Sequence, residues 1–176
     1  MSGIIGSAGR SGVIGRTHGG IKEMDMWRLT GGFTGDADPL LDQTVERVDT
    51  DSFTKIGTGM SVSSGKWTFP STGIWCVDGH FSHYSAGEDR IIRQLIQYTS
   101  NDGSSWTTAS LSNVTLSDMS SYVHGSTYLT AIFDITDTSN QKVGFQITKA
   151  TGGAVTTDAS TNENITSFIF TRLGDT

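Results

Sequence analysis

Cysteine occurs once in this chain of 176 residues, at Cys76, so no intrachain disulfide can staple it. A disulfide-held miniature is excluded, and the chain is long enough to bury a core without staples. Cys76 lies in the apolar run Ile74-Trp75-Cys76-Val77, where a buried structural thiol is expected. Proline occurs twice. That is too little for a collagen-like or polyproline stalk. No run approaches 18 apolar residues, so no helical membrane span is expected. The first twenty residues lack the continuous apolar stretch of a signal peptide, so synthesis in a cytoplasm is expected, with no membrane insertion. Basic residues are also scarce, 12 Lys and Arg against 18 Asp and Glu. Three of those bases, Arg10, Arg16 and Lys22, fall in residues 1–22, which hold no acid. The rest has nine bases against all 18 acids, a balance of −9 that makes it a poor ligand for nucleic acid.

Glycine is plentiful and, at the start, periodic: Gly3, Gly6, Gly9, Gly12 and Gly15. A nine-residue repeat is superposed on that period. Ser2-Gly3-Ile4-Ile5-Gly6 returns as Ser11-Gly12-Val13-Ile14-Gly15. Glycine loses more backbone entropy on ordering than any other residue, so such a segment gains order best against a partner. Five triplets without proline cannot sustain a triple helix. The pairs Ile4-Ile5 and Val13-Ile14 instead read as apolar anchors. Arg10 and Arg16 would add attraction to an acidic protein surface, and glycines let the backbone lie close to its partner.

Three parts follow from composition: an extended arm over residues 1–20, a joining segment over 21–50, and a head over 51–176. In the joining segment Met24, Met26, Trp27 and Leu29 predict one or two short strands, broken by Gly31-Gly32 and Asp36-Ala37-Asp38-Pro39. The head reads as all-β. Trp75, Val77, Gly79 and Phe81 alternate with Ile74, Cys76, Asp78 and His80. The same period of two returns at residues 128–135, 143–148 and 168–171. Asn101-Asp102-Gly103 predicts a hairpin turn, and residues 137–140 predict another. Residues 89–95 would tolerate a helix, but isoleucine and tyrosine enrichment favours a strand. Strands about ten residues apart predict a sandwich or jelly roll.

Chemistry-bearing patterns are weak. His80 and His83 are three apart on one expected strand, which sends them to opposite faces and denies them a shared metal. In a trimer such histidines could meet their symmetry mates in a pH-sensitive contact. Asp36, Asp38, Asp42, Asp49 and Asp51 form a loose acidic series without calcium-loop spacing, read as a solvated loop. No Gly-x-Ser-x-Gly elbow, phosphate loop or dinucleotide fingerprint is present. No catalytic residue, metal or cofactor is expected, and the chain is not read as an enzyme. Trp67 and Trp75 are expected in the core, whereas Trp106 and Tyr122 sit in polar surroundings and are the candidates for an exposed contact surface.

The segment Trp67-Thr68-Phe69-Pro70-Ser71-Thr72-Gly73-Ile74-Trp75 resembles the "F-x-P-x-x-G-x-Y" strand of C1q/TNF-like jelly-roll domains. Tyr98 to Gly103 resembles that family's middle hairpin, residues 128–147 its paired late strands, and Ser167-Phe168-Ile169-Phe170 its closing strand. Trp75 stands where tyrosine is usual, and Thr171-Arg172-Leu173 departs from the usual apolar finish. The resemblance implies a jelly-roll sandwich and a homotrimer. The opening Met-Ser-Gly-Ile-Ile-Gly-Ser-Ala-Gly resembles the N-termini of small structural proteins of marine bacteriophages, notably cyanophages. Together they imply a virion component: a fibre-type or spike-type trimer held to other virion proteins through residues 1–20, with its head free to meet a host glycan or protein. A capsid decoration or cement protein without a receptor role, and a free lectin-like module, are the alternatives.

Overall fold

Strict alternation from residue 73 to residue 85 sends every second side chain to one side, and only a strand gives that period. In the computed structural model this stretch is one of the two longest described strands of a two-sheet jelly roll. The structure describes residues 20–50, 53, 55–85, 89–117, 121–149 and 155–176. Ile4, Ile5, Arg10, Val13, Ile14 and Arg16 lie outside these residues.

The described strands are β1 (Met24–Leu29), β2 (Phe33–Thr34), β3 (Val45–Arg47), β4 (Ser61–Ser63), β5 (Lys66–Thr68), β6 (Gly73–Ser85), β7 (Asp89–Thr99), β8 (Thr107–Leu116), β9 (Val123–Ile135), β10 (Lys142–Lys149), β11 (Thr156–Thr157) and β12 (Ser167–Gly174). One sheet runs β3-β1-β12-β6, with β9 along the other edge of β6 and the short β11-β2 pair continuing the β12 edge. The second runs β4-β5-β10-β7-β8. Every pairing is antiparallel. Residues 89–99 form a strand, as their isoleucines and tyrosine favour.

Within residues 21–50, β1, β2 and β3 are strands of the first sheet. β1 lies between β12 and β3. Its inward-facing Asp25 and its Arg28, each 1 % exposed, are held by side chains about twenty residues further on. Arg28 bonds Glu46, Asp49 and Thr50. Asp25 accepts two bonds from Arg47, at 2.8 and 3.1 Å.

Aromatic rings tie the two sheets together. Trp67 of β5 meets Phe170 of β12 at 4.9 Å, and Phe145 of β10 stacks on Phe168 of β12 at 4.2 Å. Trp67 and Trp75 are both buried, as expected. Each such side chain contributes about 1.5–3 kcal/mol by burial, and ring pairs add about 0.5–1.5 kcal/mol. Gly79 makes the stacking possible. A Cβ there would sit 2.8 Å from the Phe81 ring and 3.3 Å from Phe145. Asp102 and Gly103 carry φ of 53° and 87°, the left-handed pair that a tight hairpin reversal needs.

The sandwich has two unlike ends. At one end β1 begins and β12 finishes, together with Gly73 paired to Ile135 and the connections over residues 100–106 and 136–141. Gly20, the first described residue, lies here, so this is the arm end. At the opposite, far end β6, β8 and β10 finish and β7, β9 and β11 begin.

Candidate interaction surface

β6 and β9 pair along thirteen residues each, from Gly73↔Ile135 to Ser85↔Val123. Paired residues point to the same side, so the inward set Trp75, Val77, Phe81 leaves a defined outward set. On β6 it is Ile74, Cys76, Asp78, His80, Ser82 and Tyr84. On β9 it is Asp134, Ile132, Thr130, Tyr128, Ser126 and His124, facing them in that order. β12 and β1 extend the same face. Ile169 stands beside Asp78 and Met26, and Thr171 stands beside Cys76 and Met24.

This face is rich in exposed apolar and aromatic groups. Ile132 is 65 % exposed and Tyr128 60 %, and Tyr122, just before β9, is 65 %. Tyr84 meets Tyr122 edge-on at 5.5 Å and the His124 ring at 5.5 Å. A polar island interrupts the apolar groups. Cys76 Sγ lies 3.5 Å from Thr130 Oγ1 and 3.7 Å from an Asp78 oxygen. Desolvation, then a hydrogen bond to Asp78 and its charge, push Tyr128 up to about 12. Burial raises the Cys76 thiol as well; the Thr130 bond opposes this, and the Asp78 charge adds to it. Both groups therefore stay neutral at ordinary pH, which suits contact and not nucleophilic chemistry. Cys76 is half-buried on this outer face and not in the core, because the strand period places Trp75 and Val77 inward in its stead.

The other sequence-derived candidates are dispersed. His80 points outward opposite Tyr128, whereas His83 is fully buried between the sheets. Gln94 Nε2 lies 2.7 Å from its Nε2, and Thr157 Oγ1 lies 3.2 Å from its Nδ1. Among the described residues no three His, Cys, Asp or Glu side chains are placed to hold a metal ion. The acidic series is divided among structural bonds: Asp36 accepts from Lys149 N, Asp38 from Gln146, and Asp49 from Arg28. Asp51 lies outside the described residues. Trp106 and Tyr122 are not brought together. Trp106 packs beside Gly103 at the arm end, half-buried, and Tyr122 stands at the far end.

Ile132, Tyr84 and His124 were not among the contact candidates. Their signal was phase: within residues 123–135, Tyr128 and Ile132 fall out of step with Leu129, Ala131, Phe133 and Ile135. Large groups on the polar phase of a strand mark a second covered or contacting face.

At the arm end a cleft of about 400 Å³ opens between Gly20-Ile21-Lys22 and residues 171–175. Ile21 and Leu173 line it, 53 % and 58 % exposed. Arg172 braces its wall, donating to Thr72 O at 2.8 Å and to Asp175 at 2.7 Å.

Two antiparallel sheets in this order define a TNF-like jelly roll. The fold is similar to that of murine APRIL at pH 5.0, with TM-score 0.58 and 11 % identity over 86 % of this chain and 98 % of that one. It is also similar to Eiger TNF from S. frugiperda, with TM-score 0.59 and 10 % identity over 87 % of this chain and 93 % of that one. No protein-family model and no curated protein sequence matches the chain.

Proposed function

We propose that the chain is a bacteriophage virion structural protein, a homotrimeric fibre-type or spike-type appendage held by its N-terminal arm with the β head exposed. One observation carries the reading: the unpartnered apolar face runs along the flank of the strands, and the arm joins at one end of the same strands. Copies joined flank to flank about an axis along the strands would send all their arms the same way. They would leave the opposite ends of the strands free to meet a host surface. The likeness of the first fifteen residues to marine phage structural proteins and of the head to C1q/TNF-like modules supports the same assignment. Three arms with modest individual affinity would bind strongly together if their sites lie within reach.

Ile132→Glu tests the shared face. A charge set into the middle of an apolar contact costs several kcal/mol, so the apparent dissociation constant should rise at least about 100-fold. Sedimentation velocity is expected to show a trimer for the unaltered chain and a monomer for the variant. A monomeric unaltered chain, or a trimeric variant, would overturn the proposed interface. Deleting residues 1–20 tests the anchor: the head should still fold and trimerise but no longer co-sediment with particles. Undiminished particle association would sink the anchoring role of Ile4, Ile5, Arg10, Val13, Ile14 and Arg16.

A further inference from the structure

The β1–β12 ladder closes at Met24↔Thr171, reinforced by Arg172 N donating to Glu23 O at 3.0 Å. Beyond that point the two chains part, and the cleft fills the wedge between them. Two features make the wedge unusual for a surface recess. Ile21 and Leu173 stand in it more than half exposed. Residues 20–22 and 175–176 also fall outside every named strand. Nineteen further residues precede Gly20, at the cleft's own lip.

We infer that this cleft is the seat of the chain's own second apolar repeat, Gly12-Val13-Ile14-Gly15. The argument is one of position and chemistry. The repeat offers two adjacent branched apolar side chains to a recess with two exposed apolar side chains. The intervening Arg16-Thr17-His18-Gly19 leads into Gly20, and paired glycines are suited to reversing a chain. A tether this short gives an effective concentration in the millimolar range, so a weak intrinsic contact suffices for capture within one molecule. On this reading the first repeat, Gly3-Ile4-Ile5-Gly6, lies further from the cleft along the chain and stays available for another protein. The head would thus shield one apolar hook until assembly competes for it. This inference does not depend on the virion reading.

Disulfide trapping on the full-length chain tests it, in a Cys76→Ser background. Leu173→Cys is combined in turn with Val13→Cys, Ile14→Cys and Ile5→Cys, oxidised at low micromolar protein, and read by non-reducing gel and peptide mass. A slack arm would favour position 14 over position 5 by only about fourfold, from the difference in tether length. A seated repeat should favour position 13 or 14 by more than about tenfold, as an intrachain bond. Three results would overturn the inference: no disulfide at 13 or 14, a preference near the slack-arm ratio, or a mainly interchain product. The last would assign the cleft to a second copy.

Discussion

Asp25→Ala is expected to cost about 3–5 kcal/mol of unfolding free energy, the range for breaking a buried ion pair from one side. Asp25 is 1 % exposed and serves three separate stretches. Its carboxylate accepts from Trp27 Nε1 at 2.8 Å, from Arg47 Nε at 2.8 Å and from Met60 N at 2.7 Å. Arg47 in turn donates to Met60 O at 2.9 Å and lies over the Trp27 ring at 4.6 Å. Truncation leaves a buried backbone N–H and an indole N–H without partners, each costing about 1–3 kcal/mol. It also strands the Arg47 guanidinium. Asp25→Asn keeps the shape and part of the bonding, so it should lose about half as much. Urea unfolding at one fixed protomer concentration measures both, because association would shift the apparent stability. A loss under about 1 kcal/mol for the alanine variant would show that β1 and β3 are held mainly by apolar packing.

The same carboxylate explains what sequence reasoning could and could not reach. The strands of the head were legible because Trp75, Phe81, Phe145 and Phe168 recur with a period of two between turn residues. Asp102-Gly103 was legible because few other pairs adopt two left-handed conformations in succession. β1 and β3 were harder. Asp25 and Arg28 within a six-residue strand look like solvated positions, and their partners Arg47, Glu46 and Asp49 lie across a segment broken by glycine and proline. Only the folded register shows that these charges neutralise one another. The outer face was legible in part. Tyr122 was marked by its polar surroundings, but Tyr128 and Ile132 fall within the alternating pattern of residues 128–135. A single sequence does not distinguish the core phase from a contact phase when both carry large groups. Cys76 was misplaced for the same reason: Ile74-Trp75-Cys76-Val77 looks uniformly apolar until the register divides it between two faces.

The buried histidine supplies the last expected result: stability should fall by about 2 kcal/mol from pH 8 to pH 5 through His83 alone. His83 is fully buried. Burial, and then the charge of Lys149, lower it from 6.5 to about 3. The folded value is below the unfolded one, so the unfolded chain binds the proton first. The contribution is complete above pH 6.5 and is lost progressively as pH falls toward 3, at about 1.36 kcal/mol per pH unit. The geometry agrees. With the Gln94 amide nitrogen directed at Nε2, the ring accepts there and carries its proton on Nδ1, toward Thr157. A second proton on Nε2 would face a donor in a water-free interior. Asp137 and Asp175 are also held below the ordinary carboxylate range, Asp137 chiefly by Asn140 and Asp175 by Arg172. Their effects fall below the window from pH 5 to pH 8. Comparison with His83→Gln isolates the buried group from His80 and His124, which lie on the outer face. The glutamine variant should lose about 2 kcal/mol less than the unaltered chain between pH 8 and pH 5. Equal slopes for the two proteins would mean that His83 accepts its proton inside the fold.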